Sequence, residues 1–307
     1  MKVLLAYDGS TSAQAAVRAA AELLPGADAV VLTVYEAPTR LEHLLATHAT
    51  AASATDRGVA DLRRMMQDDA MAVAREGAEL ATEGGLAAEA QTAATSGSAW
   101  PVIREEATRQ ECAALVCGSR GRGGLSRAWL GSISSALLHH ATLPTLVVPE
   151  RSPEPRGPLL LAYDGSEPAR AVIATAAALF GGRPTVVVHV WESPLTHWRS
   201  GHALMAAPVT EIRELTADLD ELLANSAQQE AEKGADLARQ RGLGARAKSV
   251  ESATGVWRAL IETAQSTDAG VVAVGSRGRG ALASTFLGSV SSGLVHNAEL
   301  PVLVVPS

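Results

Sequence analysis

The chain of 307 residues carries one sequence pattern twice, and this repeat limits the folds that are open to it. LLAYDGS occupies 4–10 and returns unchanged at 160–166, while GSRGRG occupies 118–123 and returns at 275–280. One inserted residue between the two motifs accounts for their slightly different offsets. A repeat that covers each half indicates two copies of one structural unit.

The two halves also end alike, with LPTLVVP at 143–149 and LPVLVVP at 300–306. Between them, ERSPEPRGP is rich in proline and charge, as linkers between domains commonly are. The length of the chain suits two domains of ordinary size. We therefore predict domains at 1–149 and 159–307, joined by a linker at 150–158.

Within each half, short apolar runs alternate with longer segments of helical periodicity. Runs such as VLLAY, VVLTV and AALVCGS are apolar and end in turn residues, as buried parallel strands do. Strands that alternate with helices imply right-handed crossovers and a parallel sheet covered on both faces. Each half is thus predicted to be a five-stranded, doubly wound α/β domain of Rossmann-like type. Helices are expected near 11–24, 57–83, 100–111 and 132–141, and near 167–180, 210–241, 256–266 and 289–298.

In such sheets, ligands bind beyond the carboxyl ends of the strands, where the strand order reverses. The loop after the fourth strand has the spacing Gly-x2-Gly-x9-Gly-Ser in both halves, at 118–132 and 275–289. Glycine lets the backbone turn sharply and approach a ligand closely. The final serine, Ser132 or Ser289, is expected to cap the next helix, whose free N–H groups and positive dipole end then face an anion.

The loops therefore predict a phosphate-binding site in each half. The alternative, that a glycine-rich turn merely closes a loop, is weakened by the second copy at identical spacing. Neither loop is a Walker A motif, because no Gly-Lys-Ser/Thr follows at the required spacing. The candidate residues are Gly118, Ser119, Arg120, Gly121, Arg122, Gly123, Gly131, Ser132, Ile133 and Ser134 in the first half, and Gly275, Ser276, Arg277, Gly278, Arg279, Gly280, Gly288, Ser289, Val290 and Ser291 in the second.

These loops, an aspartate after strand one and a proline before the last strand resemble the ATP-binding branch of the universal stress proteins over nearly the whole chain. The resemblance implies that the loop holds phosphates and ribose, that the aspartate lies by the nucleoside, and that the backbone ending strand two reads adenine. The residues at these positions are Asp8 and Val34 in the first half, and Asp164 and Val190 in the second, and the backbone around Ala6 and Ala162 is expected to line the same crevice. Asp8 also suits an Asx-turn or helix N-cap, and both roles can hold together.

The resemblance further implies one ATP per domain, with or without Mg²⁺, in a cytoplasmic protein that acts as a nucleotide-dependent regulator of the stress response. Single-domain relatives pair through their last strands, so the halves are expected to pair about a pseudo-twofold axis, and two chains can associate as a homodimer. The sequence does not identify a protein partner.

Two alternatives stay open: a slow ATPase or phosphotransferase, and a partner-binding scaffold with vestigial nucleotide loops. We expect no enzyme: Asp8 could in principle activate water on a bound nucleotide, but no second carboxylate recurs beside the loops to complete a hydrolytic site.

A formal net charge of −7 argues against partners that need clustered cations, namely nucleic acid and anionic membrane. No apolar run approaches the roughly 20 residues of a membrane helix, and an acidic residue comes too early for a signal peptide. Cys112 and Cys117 are expected to be reduced thiols, with no disulfide or metal role. His139 and His296 recur near a helix end, where the helix dipole explains them better than a metal does.

The two loops differ in charge, because Arg127 of the first copy is replaced by Ser284 in the second. The second loop thus carries one cation fewer, so we predict weaker nucleotide binding at the second site. Equal losses of affinity in Gly131→Ala and Gly288→Ala variants, measured by calorimetry, would contradict this prediction.

Overall fold

A computed structural model describes residues 1–38, 52–121, 130–193, 209–278 and 287–307, with 52–57 and 209–218 described by their backbone. The chain divides into two units, Met1–Ser152 and Pro153–Ser307. Each unit alternates strands and helices, as the sequence predicts.

In the first unit, the described residues form five strands and four helices. They are β1 (Lys2–Ala6), α1 (Thr11–Leu23), β2 (Asp28–Glu36), α2 (Ala52–Glu83), β3 (Ala87–Thr95), α3 (Ala99–Arg109), β4 (Ala114–Gly118), α4 (Ser132–His139) and β5 (Thr145–Val148). The strand order is β3-β2-β1-β4-β5, and all four pairings are parallel.

The second unit repeats this arrangement. Its elements are β6 (Leu159–Ala162), α5 (Glu167–Leu179), β7 (Pro184–Trp191), α6 (Val209–Gln240), β8 (Gly244–Glu251), α7 (Val256–Ser266), β9 (Val271–Gly275), α8 (Ser289–Asn297) and β10 (Val302–Val305). The order β8-β7-β6-β9-β10 is again parallel throughout. The doubly wound, Rossmann-like fold predicted for each half is therefore confirmed.

The inner strands form the core of each unit because their residues are apolar on both faces. All five residues of β4 are buried, as are all five of β9, which is typical of parallel strands covered by helices. The edge strand β3 has only half-buried and exposed residues instead. Helix α2 begins at Ala52, earlier than predicted, and the other helices begin and end close to the predicted residues.

A glycine in the long helix of each unit brings that helix close to the first strand's end. A β-carbon added at Gly77 would lie 2.7 Å from Cδ1 of Tyr7, and one at Gly234 would lie 2.6 Å from Cδ1 of Tyr163. Both tyrosines directly precede the candidate aspartates, so this contact packs each long helix against the chain segment that carries the aspartate. None of the helices in the described ranges has the length and apolar character needed to cross a membrane.

Candidate functional site

The strand order of each unit reverses between its first and fourth strands. In the first unit β1 lies between β2 and β4, so the chain leaves β1 toward one edge of the sheet and leaves β4 toward the other. The loops that follow these two strands diverge and leave a crevice between them. In the second unit, β6 and β9 have the same relation.

The aspartate after the first strand starts the first helix of each unit. The Ser10 backbone N–H donates to Asp8 Oδ1 at 3.0 Å, and Ser10 Oγ then caps α1 by accepting from the Ala13 N–H at 3.2 Å. Asp164 accepts from the Ser166 N–H at 3.0 Å, and Ser166 caps α5 in the same way. The Asx-turn role of both aspartates is thus confirmed, while their role toward a nucleoside stays a prediction.

The second carboxylate oxygen of each aspartate lies against the loop after the fourth strand. A β-carbon at Gly121 would stand 2.9 Å from Asp8 Oδ2, and one at Gly278 would stand 3.0 Å from Asp164 Oδ2. A larger residue at either position would have to displace the carboxylate oxygen, and glycine leaves it in place. The structure therefore brings together the aspartate and the loop.

The loop is closed by a hydrogen bond between its two ends. The Gly131 N–H donates to the Ser119 carbonyl at 2.8 Å, and the Gly288 N–H donates to the Ser276 carbonyl at 2.8 Å. The ends therefore have the same geometry in both units.

A serine inside the following helix holds the loop to that helix. Ser134 Oγ donates to the Gly118 carbonyl at 3.0 Å, and Ser291 Oγ donates to the Gly275 carbonyl at 2.6 Å. Both serines are buried. Their hydroxyl protons are thus used within the fold, which leaves the backbone amides of the first helical turn as donors toward the crevice.

One sequence prediction about the helix start is wrong: the serine of the motif does not cap the helix. Gly131 and Gly288 are the N-cap residues of α4 and α8, and Ser132 and Ser289 are the first helical residues. A β-carbon at Gly131 would lie 3.3 Å from the Arg120 Cα, so a larger residue there would crowd the loop backbone. Neither cap makes a side-chain hydrogen bond in the described part of the chain, so the dipole end of each helix is left for another acceptor.

A cavity of about 410 Å³ opens at this place in the second unit, which is within the usual range for small-molecule sites. Ten of the predicted residues line it: Ala162, Asp164, Val190, Gly275, Arg277, Gly278, Gly288, Ser289, Val290 and Ser291. Ser276 is not among the lining residues, and its hydroxyl instead contacts Ser307 Oγ at 3.0 Å. Arg279 and Gly280 lie outside the described residues.

Sequence reasoning missed the apolar wall of this cavity. The additional lining residues are Tyr163, Ala169, Val188, Val256, Leu260 and Val274. Val256 and Leu260 are one helical turn apart at the start of α7, and their counterparts Ala99 and Ile103 are also apolar. This repeated pair was the available signal. The wall suits a flat, weakly polar ring, and the loop at the other end suits an anion.

The first unit places its predicted residues on the same elements. Ala6 ends β1, Val34 lies in β2, Gly118 ends β4, and residues 131–134 form the cap and first turn of α4. Ser119, Arg120 and Gly121 follow β4, while Arg122 and Gly123 lie outside the described residues.

Sequence reasoning also missed Glu150, which it assigned to the linker. Glu150 Oε2 lies 3.8 Å from Arg120 Nη1, and Glu150 Oε1 accepts from Thr11 Oγ1 at 2.9 Å. A carboxylate therefore stands beside the first loop. Its counterpart in the second unit is Ser307, whose N–H donates to Ser276 Oγ at 3.2 Å.

The model of the universal stress protein family matches residues 1–149 and again residues 156–306. The chain belongs to the universal stress protein family. It is a tandem form, with one family repeat in each half.

Relatives and solved structures agree with this membership. A universal stress protein of Mycolicibacterium smegmatis is 36% identical over 197 residues, which cover 62% of this chain and 60% of the relative. One of Mycobacterium tuberculosis is 32% identical over 202 residues, which cover 64% of this chain and 59% of the relative. The matched part thus spans about 60% of the relatives' length.

The crystal structure of a universal stress protein from Archaeoglobus fulgidus aligns with 99% of this chain and 98% of its own, with a TM-score of 0.60 and 18% identity. A functionally unknown protein from Pseudomonas aeruginosa aligns with 99% of this chain and 92% of its own, with a TM-score of 0.54 and 15% identity. At these identities the likeness shows the fold.

The thiols of this universal stress protein are protected by burial. Cys112 and Cys117 are free and buried. Burial raises the pKa of the Cys117 thiol to about 12 and raises that of Cys112 as well, so neither is a reactive thiolate at neutral pH. Cys117 stands where Val274 lines the second cavity, which is consistent with a wall residue.

Among the described residues, no group of three His, Cys, Asp or Glu side chains could hold a metal ion. The ring nitrogen Nδ1 of His296 lies 2.7 Å from the Ser292 carbonyl, one helical turn earlier in α8. With its N–H donated to that carbonyl, this histidine acts at the helix end, as the sequence predicts.

Proposed function

We propose that each unit of this universal stress protein binds one adenine nucleotide, with ATP as the ligand, at the crevice between its first and fourth strands. The observation that carries the proposal is the cavity of about 410 Å³, which joins an apolar wall to the glycine loop and to the start of α8. Such a cavity has a place for a heterocycle at one end and for an anion at the other.

The anion end is built from the backbone. Gly288 leaves the cap of α8 without a side chain, so the first-turn amides of the helix point at the crevice together with its dipole. Hydrogen bonds to a charged acceptor contribute about 1.5–3 kcal/mol each, so three or four amides can hold a phosphate chain without lysine. Arg277 adds positive charge at the same wall.

The heterocycle end is built from aliphatic side chains. Val188 and Val190 are two residues apart on β7 and face the cavity together. Leu260 of α7 and Val274 of β9 complete this wall. Adenine fits such a wall because its faces are apolar, while its ring nitrogens can hydrogen bond to the strand backbone near Val190.

We propose a binding protein rather than an enzyme. Oδ1 of each candidate aspartate is already engaged in its turn, and a single oxygen, Oδ2, faces the loop. Mg²⁺ would accompany the nucleotide's phosphates, as it commonly does with ATP, and Asp8 Oδ2 or Asp164 Oδ2 is the aspartate oxygen on the loop side of each site. Its role there would be to neutralise phosphate charge.

The proposed role is that of a stress-response regulator in which nucleotide occupancy sets the affinity for a protein partner. A reducing compartment, the cytoplasm, suits the two free cysteines. Association of two chains into a homodimer stays a prediction.

The test starts from purified protein. Denaturing it and identifying the released small molecule by chromatography should yield an adenine nucleotide, and calorimetry on the nucleotide-free protein should give two ATP per chain. Protein that releases none and binds none would favour the scaffold with vestigial loops. Following ADP in the ATP and Mg²⁺ complex then separates binding from hydrolysis: ADP formed in proportion to the enzyme over many turnovers would contradict the binding role.

A further inference from the structure

The side chain of Glu150 contacts both the start of α1 and the loop after β4, the two elements that frame the first site. Glu150 lies two residues beyond β5, and its carboxylate reaches Thr11, the first residue of α1, and Arg120, two residues beyond β4. The distances are 2.9 Å from Thr11 Oγ1 to Oε1 and 3.8 Å from Arg120 Nη1 to Oε2. An anionic group of the protein thus stands between the elements that frame the crevice.

The arginine in this contact occupies a ligand-facing position. Its counterpart in the second unit, Arg277, lines the cavity together with Gly275 and Gly278. The side chain of Arg120 is 25% exposed and that of Glu150 is 38% exposed, so both can exchange partners with a solute.

The second unit is built differently at this point. Ser307 stands in place of Glu150, and its backbone N–H and hydroxyl contact Ser276 Oγ. Among the described residues of this unit, no side-chain carboxylate forms an ion pair with Arg277. The two sites thus share the loop but differ in the charge beside their arginine.

We propose that Glu150 is a specificity-determining residue of the first site: it competes with nucleotide phosphates for Arg120 and so disfavours highly charged nucleotides relative to the neutral nucleoside. This inference rests on the proposed nucleotide binding. A bound triphosphate would place its charge near the carboxylate and must take over Arg120 from it, whereas adenosine needs neither change. In formal charge, Glu150 offsets the one cation by which the first loop exceeds the second.

The expected size is modest, since partly exposed ion pairs are worth up to about 1 kcal/mol, or about fivefold in affinity. The test uses the full chain with the second site disabled by Gly288→Asp, so that calorimetry reports the first site. In this background, Glu150→Gln and Glu150→Ser should each bind ATP about fivefold more tightly. Adenosine should bind as before.

Two controls isolate the effect. Glu154→Ser removes the same charge from an exposed side chain that pairs with Arg156, so it should leave both affinities unchanged. Thermal unfolding of every variant checks the fold, and Glu150→Gln keeps the size of the side chain.

The outcomes separate this inference from the proposed function. If ATP and adenosine bind but their affinity ratio is the same with glutamate, glutamine and serine at position 150, the inference is overturned and nucleotide binding stands. An equal gain for ATP and adenosine would also overturn it, because a charge effect must spare adenosine. If neither ligand binds any variant or the wild type, nucleotide binding is overturned and this inference with it.

Discussion

The first and second sites use the same backbone and different neighbours. In both units the loop ends are joined at 2.8 Å and the strand-one aspartate starts a helix. Around this shared frame, Glu150 engages Arg120 in the first unit, whereas Ser276 engages Ser307 in the second. The comparison teaches that duplication has kept the groups that fix the chain and has varied the charges around them.

The same lesson holds one strand away. The carbonyl of Tyr7 accepts from Thr33 Oγ1 at 2.9 Å, while the carbonyl of Tyr163 lies 2.9 Å from His189 Nδ1. A hydroxyl in one unit and an imidazole in the other satisfy the same backbone group. A partly buried carbonyl needs a hydrogen-bond donor, and side chains of different types can supply it.

The largest expected effect tests whether the two sites are separate. Gly131→Asp and Gly288→Asp should each weaken the affinity for ATP at one site by about 100-fold or more. The added carbon meets the loop, and the added charge faces the phosphates. Calorimetric stoichiometry should fall from two to one in each case. Gly58→Asp, at a position with open space around it, is the matched control. A stoichiometry that stays at two would break the assignment.

The next effect tests whether the packing beneath the sites is equivalent. Gly77→Val and Gly234→Val should each destabilise their unit by about 1–3 kcal/mol, since the new side chain overlaps a tyrosine ring. Differential scanning calorimetry should show similar losses of unfolding free energy in the two variants, with Gly58→Val as the control. A loss of stability in one variant alone would show that the same contact contributes differently to the stability of the two units.

A smaller effect sharpens the charge difference. Arg277→Ala should weaken ATP binding at the second site by about tenfold, because the phosphates lose a charged donor. Arg120→Ala should weaken the first site less, since part of that charge is already balanced by Glu150. Each variant is measured by calorimetry with the other site disabled. A greater loss for Arg120→Ala would contradict the competition.

The smallest effect concerns alkaline pH. Burial, together with the hydrogen bond to Glu76, raises the pKa of Tyr7 to about 12, and Lys233 replaces this glutamate in the second unit. Because the folded pKa lies above the unfolded value of about 10, the stabilisation is complete below pH 10 and is lost as the pH rises toward 12. In an ultraviolet titration, the wild type should show a tyrosine ionisation near pH 12 that is missing from the Tyr7→Phe variant. If the ionisation missing from the Tyr7→Phe variant lies near pH 10, the ordinary value for tyrosine, the raised pKa of Tyr7 is contradicted.

Much of the fold could be predicted from the sequence because its signals are local. Apolar runs, helical periodicity and the twofold repeat predicted both sheets and the position of the loops. The loop glycines could be identified for the same reason, because their spacing lies within one short segment of the sequence.

What the sequence could not predict depends on contacts between distant segments. Glu150 looked like linker because its composition is that of a linker, and its approach to Thr11 arises when β5 is placed in the sheet. Val256 and Leu260 face the cavity because α7 packs beside β7. The cap at Gly131 was mistaken because Ser is the commoner cap, whereas the close approach of this position to Arg120 favours glycine.

The hydrogen bond that joins the two ends of each loop has a consequence for how such proteins can change. The Ser119 carbonyl and the Gly131 N–H hold the ends together, as do their counterparts Ser276 and Gly288. Because both partners of each bond are backbone groups, exchanging a side chain elsewhere in the loop leaves the donor and the acceptor in place. The charge of one loop can therefore be changed by substitution without removing the bond that closes it.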